Sequence, residues 1–261
     1  MAVSTSNRFY NGASVGIPQV GTDFNRLEKN TNPKFKIGHK IEDGDGNTYR
    51  YAQFGADTNR GLVVSQDISE SSMVDTDNDI LAPASCVNTD DGKIGEKHIE
   101  ITKASTTANQ YAGARLIITD DVGEGYTYNI VGNTATGNPA TGTVRFQIKE
   151  KLQVALTAAS DYCIVGNKYA NLEGETSTDT AACGVSCATM DVSEAPYGWV
   201  QTKGVVGILT AGTVVLGNTV TTSAGITGAV APATSARDPQ IGRCLIVGDD
   251  TGHSAIDVNF E

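Results

Sequence analysis

Tryptophan occurs once in this 261-residue chain, histidine three times, and aromatic residues make up only 6% of it. The three histidines, His39, His98 and His253, lie far apart in sequence, so no compact catalytic or metal-binding His motif is present. No window approaches the roughly eighteen apolar residues of a membrane span. The N-terminal stretch MAVSTSNRFYNG lacks a charged n-region followed by an apolar segment. The protein is therefore expected to be made and used without crossing a membrane by the secretory route. Cysteine is sparse and odd in number: Cys86, Cys163, Cys183, Cys187 and Cys244. That count favours reduced thiols in a cytosol over a disulfide framework. Cys183 and Cys187 form a CxxxC, one residue longer than a zinc knuckle, with no second pair at ligand spacing. Each thiol is expected to be a small buried or half-buried hydrophobe.

The familiar catalytic signatures are missing too. There is no GxxxxGK[ST] and no HExxH. Gly184-Val185-Ser186-Cys187-Ala188 lacks the last glycine of a nucleophile elbow. Gly123-Glu124-Gly125 lacks the third glycine of a dinucleotide fingerprint and precedes a strand pattern instead of a helix. Asp43-Gly44-Asp45-Gly46-Asn47 has the opening spacing of a calcium loop, but Thr48 and Phe54 occupy its sixth and twelfth positions, so a hairpin turn accounts for it better. Asp75, Asp77 and Asp79 repeat the spacing, with Ile80 and Cys86 at those positions, and read as a solvated acidic loop. No catalytic residue, cofactor or metal site is expected.

What is present is glycine, 29 residues of it, and a formal net charge of −11. Residues 1–50 hold seven Lys/Arg against five Asp/Glu, a net of +2, whereas residues 51–261 carry a net of −13. An acidic body repels phosphate, which argues against nucleic-acid binding. Residues 1–35 scatter Phe9, Tyr10, Phe24, Leu27 and Phe35 through Asn, Ser, Gly and Thr, too few apolar residues to form a core of their own. They read as an extended arm that orders against a partner.

From Lys36 onward short β-branched and aromatic runs alternate with turn residues. Thr48–Phe54 places Tyr49 and Tyr51 on one face. Gly61–Ser65, Lys93–Thr102, Ala114–Thr119, Tyr126–Val131, Val144–Ile148 and Ser160–Val165 read as further strands. Glu150–Ser160 is ambiguous between strand and short helical turn, and Asn171–Ala182 reads as a polar loop. The densest pattern is Pro196–Val230. Gly198–Lys203, Val205–Leu209, Thr213–Leu216 and Thr219–Thr222 each read as a strand there, bounded by Gly204, Ala211-Gly212 and Gly217-Asn218. The expected fold is mainly β, antiparallel β-barrel or sandwich units with an extended N-terminal arm. The expected division is an arm over 1–35, a β-rich domain over 36–190, and a C-terminal β-unit over 191–261 packed with strands from 36–82.

The order YGWVQTKG, LTAG, VLGNTV, GAV and then Ile241-Gly242-Arg243-Cys244-Leu245 resembles the C-terminal half of the tailed-phage capsid decoration, or cement, proteins, including a long version common in marine phages. IEDGDGNTYRYAQFGA at 41–56 and LIITDDVGEGYTYNIVGN at 116–133 extend the resemblance over roughly residues 36–260. It implies a virion structural protein, made in the host cytoplasm, that binds the outside of an icosahedral head as a homotrimer and resists internal pressure. Its partners would be the major capsid protein and copies of itself, with no direct nucleic-acid or membrane contact. An N-terminal arm lying on the capsid lattice is also implied. Interface candidates are Arg8, Phe9, Tyr10, Phe24, Lys34, Phe35 and Lys36 of the arm, with Tyr197 and Trp199 of the tryptophan-bearing strand. The alternative is a head-fibre or tail receptor-binding module that uses an exposed Tyr197–Trp199 platform for sugars. An enzyme such as a capsule depolymerase ranks third.

Overall fold

Runs of β-branched residues broken every few positions by Gly, Asn or Asp cannot propagate a helix, and none of the described residues is α-helical. The computed structural model describes residues 24–66, 80–103, 106–136, 142–175, 182–235, 238–249 and 251–261. In chain order the strands begin with β1 (Lys40–Glu42), β2 (Thr48–Gln53), β3 (Val63–Gln66), β4 (His98–Thr102), β5 (Arg115–Asp120), β6 (Thr127–Asn133), β7 (Thr143–Ile148) and β8 (Asp161–Val165). They continue with β9 (Leu172–Gly174), β10 (Ala182–Ser186), β11 (Tyr197–Leu209), β12 (Thr219–Thr222), β13 (Val230–Pro232), β14 (Gly242–Ile246) and β15 (His253–Asn259). The fold is mainly antiparallel β, a curled sheet and a second sheet, as the sequence pattern predicts.

The chain forms two units, one joining residues 1–67 to 168–261 and the other spanning 68–167. This differs from the expected boundary at 190/191, which falls inside the first unit. The physical reason is strand pairing. β2 pairs with β11, and β10 pairs with both β3 and β11, so strands on either side of that boundary share one sheet.

The second unit is a five-stranded sheet in the order β4-β7-β6-β5-β8. Its own core includes Ile99, Leu116, Phe146, Tyr162 and Ile164. Residues 150–160 carry no regular structure there. Leu152 and Leu156 are nonetheless buried in that core, which accounts for their strand-like alternation. Asp91, 1% exposed, receives both Nε and Nη2 of Arg145 at 2.5 and 2.9 Å, and Glu100 accepts the Val87 and Asn88 amides. These charges sit low in the fold because each is paired or hydrogen-bonded.

The first unit is a ten-stranded sheet with the path β13-β12-β14-β15-β11-β10-β3-β9 and the β1–β2 hairpin joined through β2. β11, thirteen residues long, is its axis. Its first half pairs with β2 and its second half with β15 along seven residue pairs, Lys203↔Asn259 to Leu209↔His253. The change of partner falls at a β-bulge. Gln201 faces Tyr49 and Lys203 faces Thr48, leaving Thr202 as the extra residue. Gly204 follows at φ 96°, a conformation open to glycine. Gln201, 1% exposed, turns its amide onto the Lys203 and Val205 carbonyls at 3.1 and 3.2 Å, satisfying groups the bulge disturbs. Gly204 therefore bends one long strand and does not divide two, as the sequence pattern suggests. Thr213–Leu216, expected as a strand, has no regular structure, and Leu172–Gly174, expected in a loop, is β9.

Candidate interaction surface

β-Alternation places Trp199, Tyr51 and Tyr49 on one face of the β2–β11 pair, where Trp199 and Tyr51 are directly opposite. Residues 24–39 lie across that face. Phe24 meets the indole edge-on at 5.0 Å and 90°, Tyr51 at 5.1 Å, and Phe35 tilts against it at 5.3 Å. His39 stacks on Phe35 at 5.1 Å, and Tyr197 stacks on Tyr51 at 6.3 Å. The covering segment is tied down by polar contacts. Asn30 and Tyr197 exchange backbone hydrogen bonds, the Tyr51 hydroxyl donates to Asn30 Oδ1 at 2.8 Å, and Lys34 forms an ion pair with Glu28. Trp199 ends 1% exposed, and its Nε1 has no acceptor among the described residues, so packing holds it.

This corrects one part of the expected arm. Residues 24–35 do not extend away; they complete a core. Residues 1–23, and with them Arg8, Phe9 and Tyr10, lie outside the described residues, as do Asp75, Asp77 and Asp79. Of the interface candidates, Lys34 and Lys36 face solvent, Phe35 packs on Trp199 while keeping one side exposed, Phe24 and Tyr197 are half-buried, and Trp199 is enclosed. Trp199 therefore presents no ring to a sugar or a neighbouring subunit.

Among the described residues, no group of three or more His, Cys, Asp or Glu side chains is placed to hold a metal ion. Asp43 spends its carboxylate on the turn, accepting the Asp45 and Asn47 amides at 3.0 and 2.9 Å and Asn47 Nδ2 at 2.9 Å, as a hairpin requires. Ser186 Oγ donates to the Ala188 carbonyl at 2.7 Å, and His39, His98 and His253 sit on separate elements. Burial pushes the Cys183 thiol up to about 11 and the Cys187 thiol up to about 12, so both stay protonated and inert near neutral pH.

Among the described residues, the surface with no covering element lies beyond the bulge. The inner face of β11, β15, β14 and β12 packs Ile208, Ile256, Cys244 and Val220 into a core. On the outer face the register aligns Val205, Asp257 and Arg243 in one row and Gly207, Ala255 and Ile246 in the next. A solvated sheet face ordinarily alternates to polar side chains. Here Val205 is 50% and Ile246 67% exposed, and Leu245 and Val247 beside them are 39% and 44% exposed. The Gly217 amide bonds the Cys244 carbonyl at 2.8 Å, bringing Val215 and Leu216, also exposed, to the same edge. A groove of about 410 Å³ between the Asp45–Asn47 turn and Lys203–Val205 adjoins this face.

Sequence reasoning missed this surface because its members come from β11, β14 and β15, and only the register brings them together. One signal was available: Cys244-Leu245-Ile246-Val247 is a continuous apolar run where an exposed strand should alternate. No protein-family model, no curated protein and no solved structure matches this chain.

Proposed function

We propose that the protein is a virion structural protein of the capsid-decoration type, binding the outside of an icosahedral phage head as a homotrimer and stabilising it against internal pressure. The observation that carries this reading is the outer face of β11–β15–β14: an apolar surface that the described residues leave open on an acidic β body, as a subunit that assembles with its own copies on a shell requires. The ordered sequence resemblance over residues 36–260 supports the same reading. The work would be adhesion, with weak contacts made by each subunit multiplied by simultaneous engagement. The major capsid protein and copies of this chain are the partners in this reading, and nucleic acid and membranes are not. It involves no catalysis. The enclosure of Trp199 weighs against the sugar-platform alternative. Quantitative mass spectrometry of purified virions tests the proposal, together with pelleting of the protein on bare heads. Hundreds of copies per virion and saturable pelleting are expected. A few copies, or binding to host cells and not to heads, would overturn it.

A further inference from the structure

The exposed row Gly207–Ala255–Ile246 is uneven in a telling way. At its β14 end Ile246 stands proud, with Leu245 and Val247 beside it. At its β11 end Gly207 is hollow: a Cβ built there would meet no atom within 4 Å. The adjoining row carries one charge of each sign, Arg243 and Asp257, both exposed. Bulk and hollow, and cation and anion, thus occur together on a single face.

We infer that this face docks a second copy of the same chain, Ile246 of one subunit seating over the Gly207–Ala255 hollow of another and Arg243 meeting Asp257 across the contact. Three arguments select a second copy over another occupant. A face built for a basic or acidic partner carries one sign of charge, whereas this one carries both and is self-complementary. Val205, Leu245, Ile246 and Val247, with Val215 and Leu216 at the edge, make a cluster of exposed apolar side chains of the kind that marks an interaction site. A standard interface takes roughly 800 Å² from each partner, and a polar rim such as the Asp45–Asn47 turn is available to extend this cluster. Finally, sheets stack face to face at about 10 Å, which a Gly–Ala hollow opposite an Ile ridge permits. The inference rests on the face that carries the proposed function and assigns it to contact between copies, leaving attachment to the head to other surfaces; a monomeric protein that still pellets on heads would overturn the inference alone.

The test is sedimentation velocity on the full chain at about 10 μM, where an interface of micromolar Kd is largely filled. A mass above the 27.2 kDa of one chain is expected. Gly207→Arg, whose side chain has open space in the subunit, should keep the melting profile of the dissociated protein and weaken association at least tenfold. Arg243→Asp should weaken it, and adding Asp257→Arg should restore it. A monomeric wild type overturns the inference, as does an associated Gly207→Arg variant of unchanged affinity. A mass of two chains keeps this contact and removes the trimer from the proposed function. A mass of three keeps both.

Discussion

Asn30 and Tyr197 donate to each other's carbonyls at 2.8 and 3.1 Å, so a residue of the N-terminal segment closes one end of the tryptophan-bearing strand. The indole beneath is a core group, and truncating it leaves a cavity among Phe24, Phe35 and Tyr51. Trp199→Ala should destabilise by about 3–5 kcal/mol in chemical denaturation. A change below about 0.5 kcal/mol, the size of an ordinary surface effect, would mean that the covering segment does not pack as described.

The same contacts separate two truncations. Removing residues 1–23 keeps Phe24, Asn30 and Phe35 in the chain and, on the capsid-decoration reading, should weaken attachment to heads. Removing residues 1–35 strips Phe24 and Asn30 from around Trp199 and Phe35 from its cover, and should lower the melting temperature by several degrees. Equal melting of the two truncated proteins would contradict the assignment of 24–35 to the core.

Glu261 ties β2 to the bulge. Burial alone would raise its pKa, but Arg50 Nε at 2.8 Å, Thr202 Oγ1 at 2.9 Å and Lys40 Nζ at 3.2 Å outweigh that and hold it down at about 2, against an ordinary 4.5. With the folded pKa below the unfolded one, the stabilisation is present above pH 4.5 and is lost as pH falls from there towards 2. Both side chains of the Arg50–Glu261 pair remain about a quarter exposed, so the contribution is about 1 kcal/mol. Denaturant midpoints between neutral pH and the acid range should therefore decline less steeply in Glu261→Gln.

Two glycines of β11 should respond oppositely to the same substitution. At Gly204 the left-handed φ of 96° combines with a Cβ that would fall 2.0 Å from Asn47 Oδ1. Asn47 is held in turn by Asp43. Gly204→Ala should cost about 1–3 kcal/mol. At Gly207 no such φ or neighbour exists, and Gly207→Ala should fall within about 0.5 kcal/mol. Thermal denaturation of both variants decides the matter, and equal losses would refute the bulge.

Cys183 and Cys187 should resist iodoacetamide in the native protein at pH 8, where thiols raised to about 11 and 12 hold almost no thiolate. Both should label on unfolding. Peptide mapping after brief alkylation reads this directly, and native labelling of either would contradict its environment.

Much of the local structure was legible because period-2 patterns and turn residues act over short distances. Tyr49 and Tyr51 on one face of β2, the Asp43–Asn47 hairpin, and β7 and β12 follow from neighbouring residues alone. Thr213–Leu216 has the same β-branched composition but pairs with no strand among the described residues, which composition does not reveal. β9 contributes only three residues and owes its existence to β3, about a hundred positions earlier. The bulge at Thr202 depends on two strands, β2 and β15, competing for one edge of β11. The outer face depends on register between strands distant in sequence, so neither the Gly207 hollow nor its alignment with Ile246 can be seen along the chain. Trp199 was read as an interface residue but is enclosed, and the covering by Phe24 and Phe35 was read as an arm because those residues lack a period of their own.

Where the chain leaves the first unit it also comes back. Gln66 and Leu172, at the two ends of the excursion through residues 68–167, are cross-strand partners in the β3–β9 pair. Such a junction works like a socket. The intervening hundred residues could be lost, lengthened or exchanged for an unrelated segment while every strand of the ten-stranded sheet kept its neighbours. An engineer would find at that point a ready position for grafting foreign cargo.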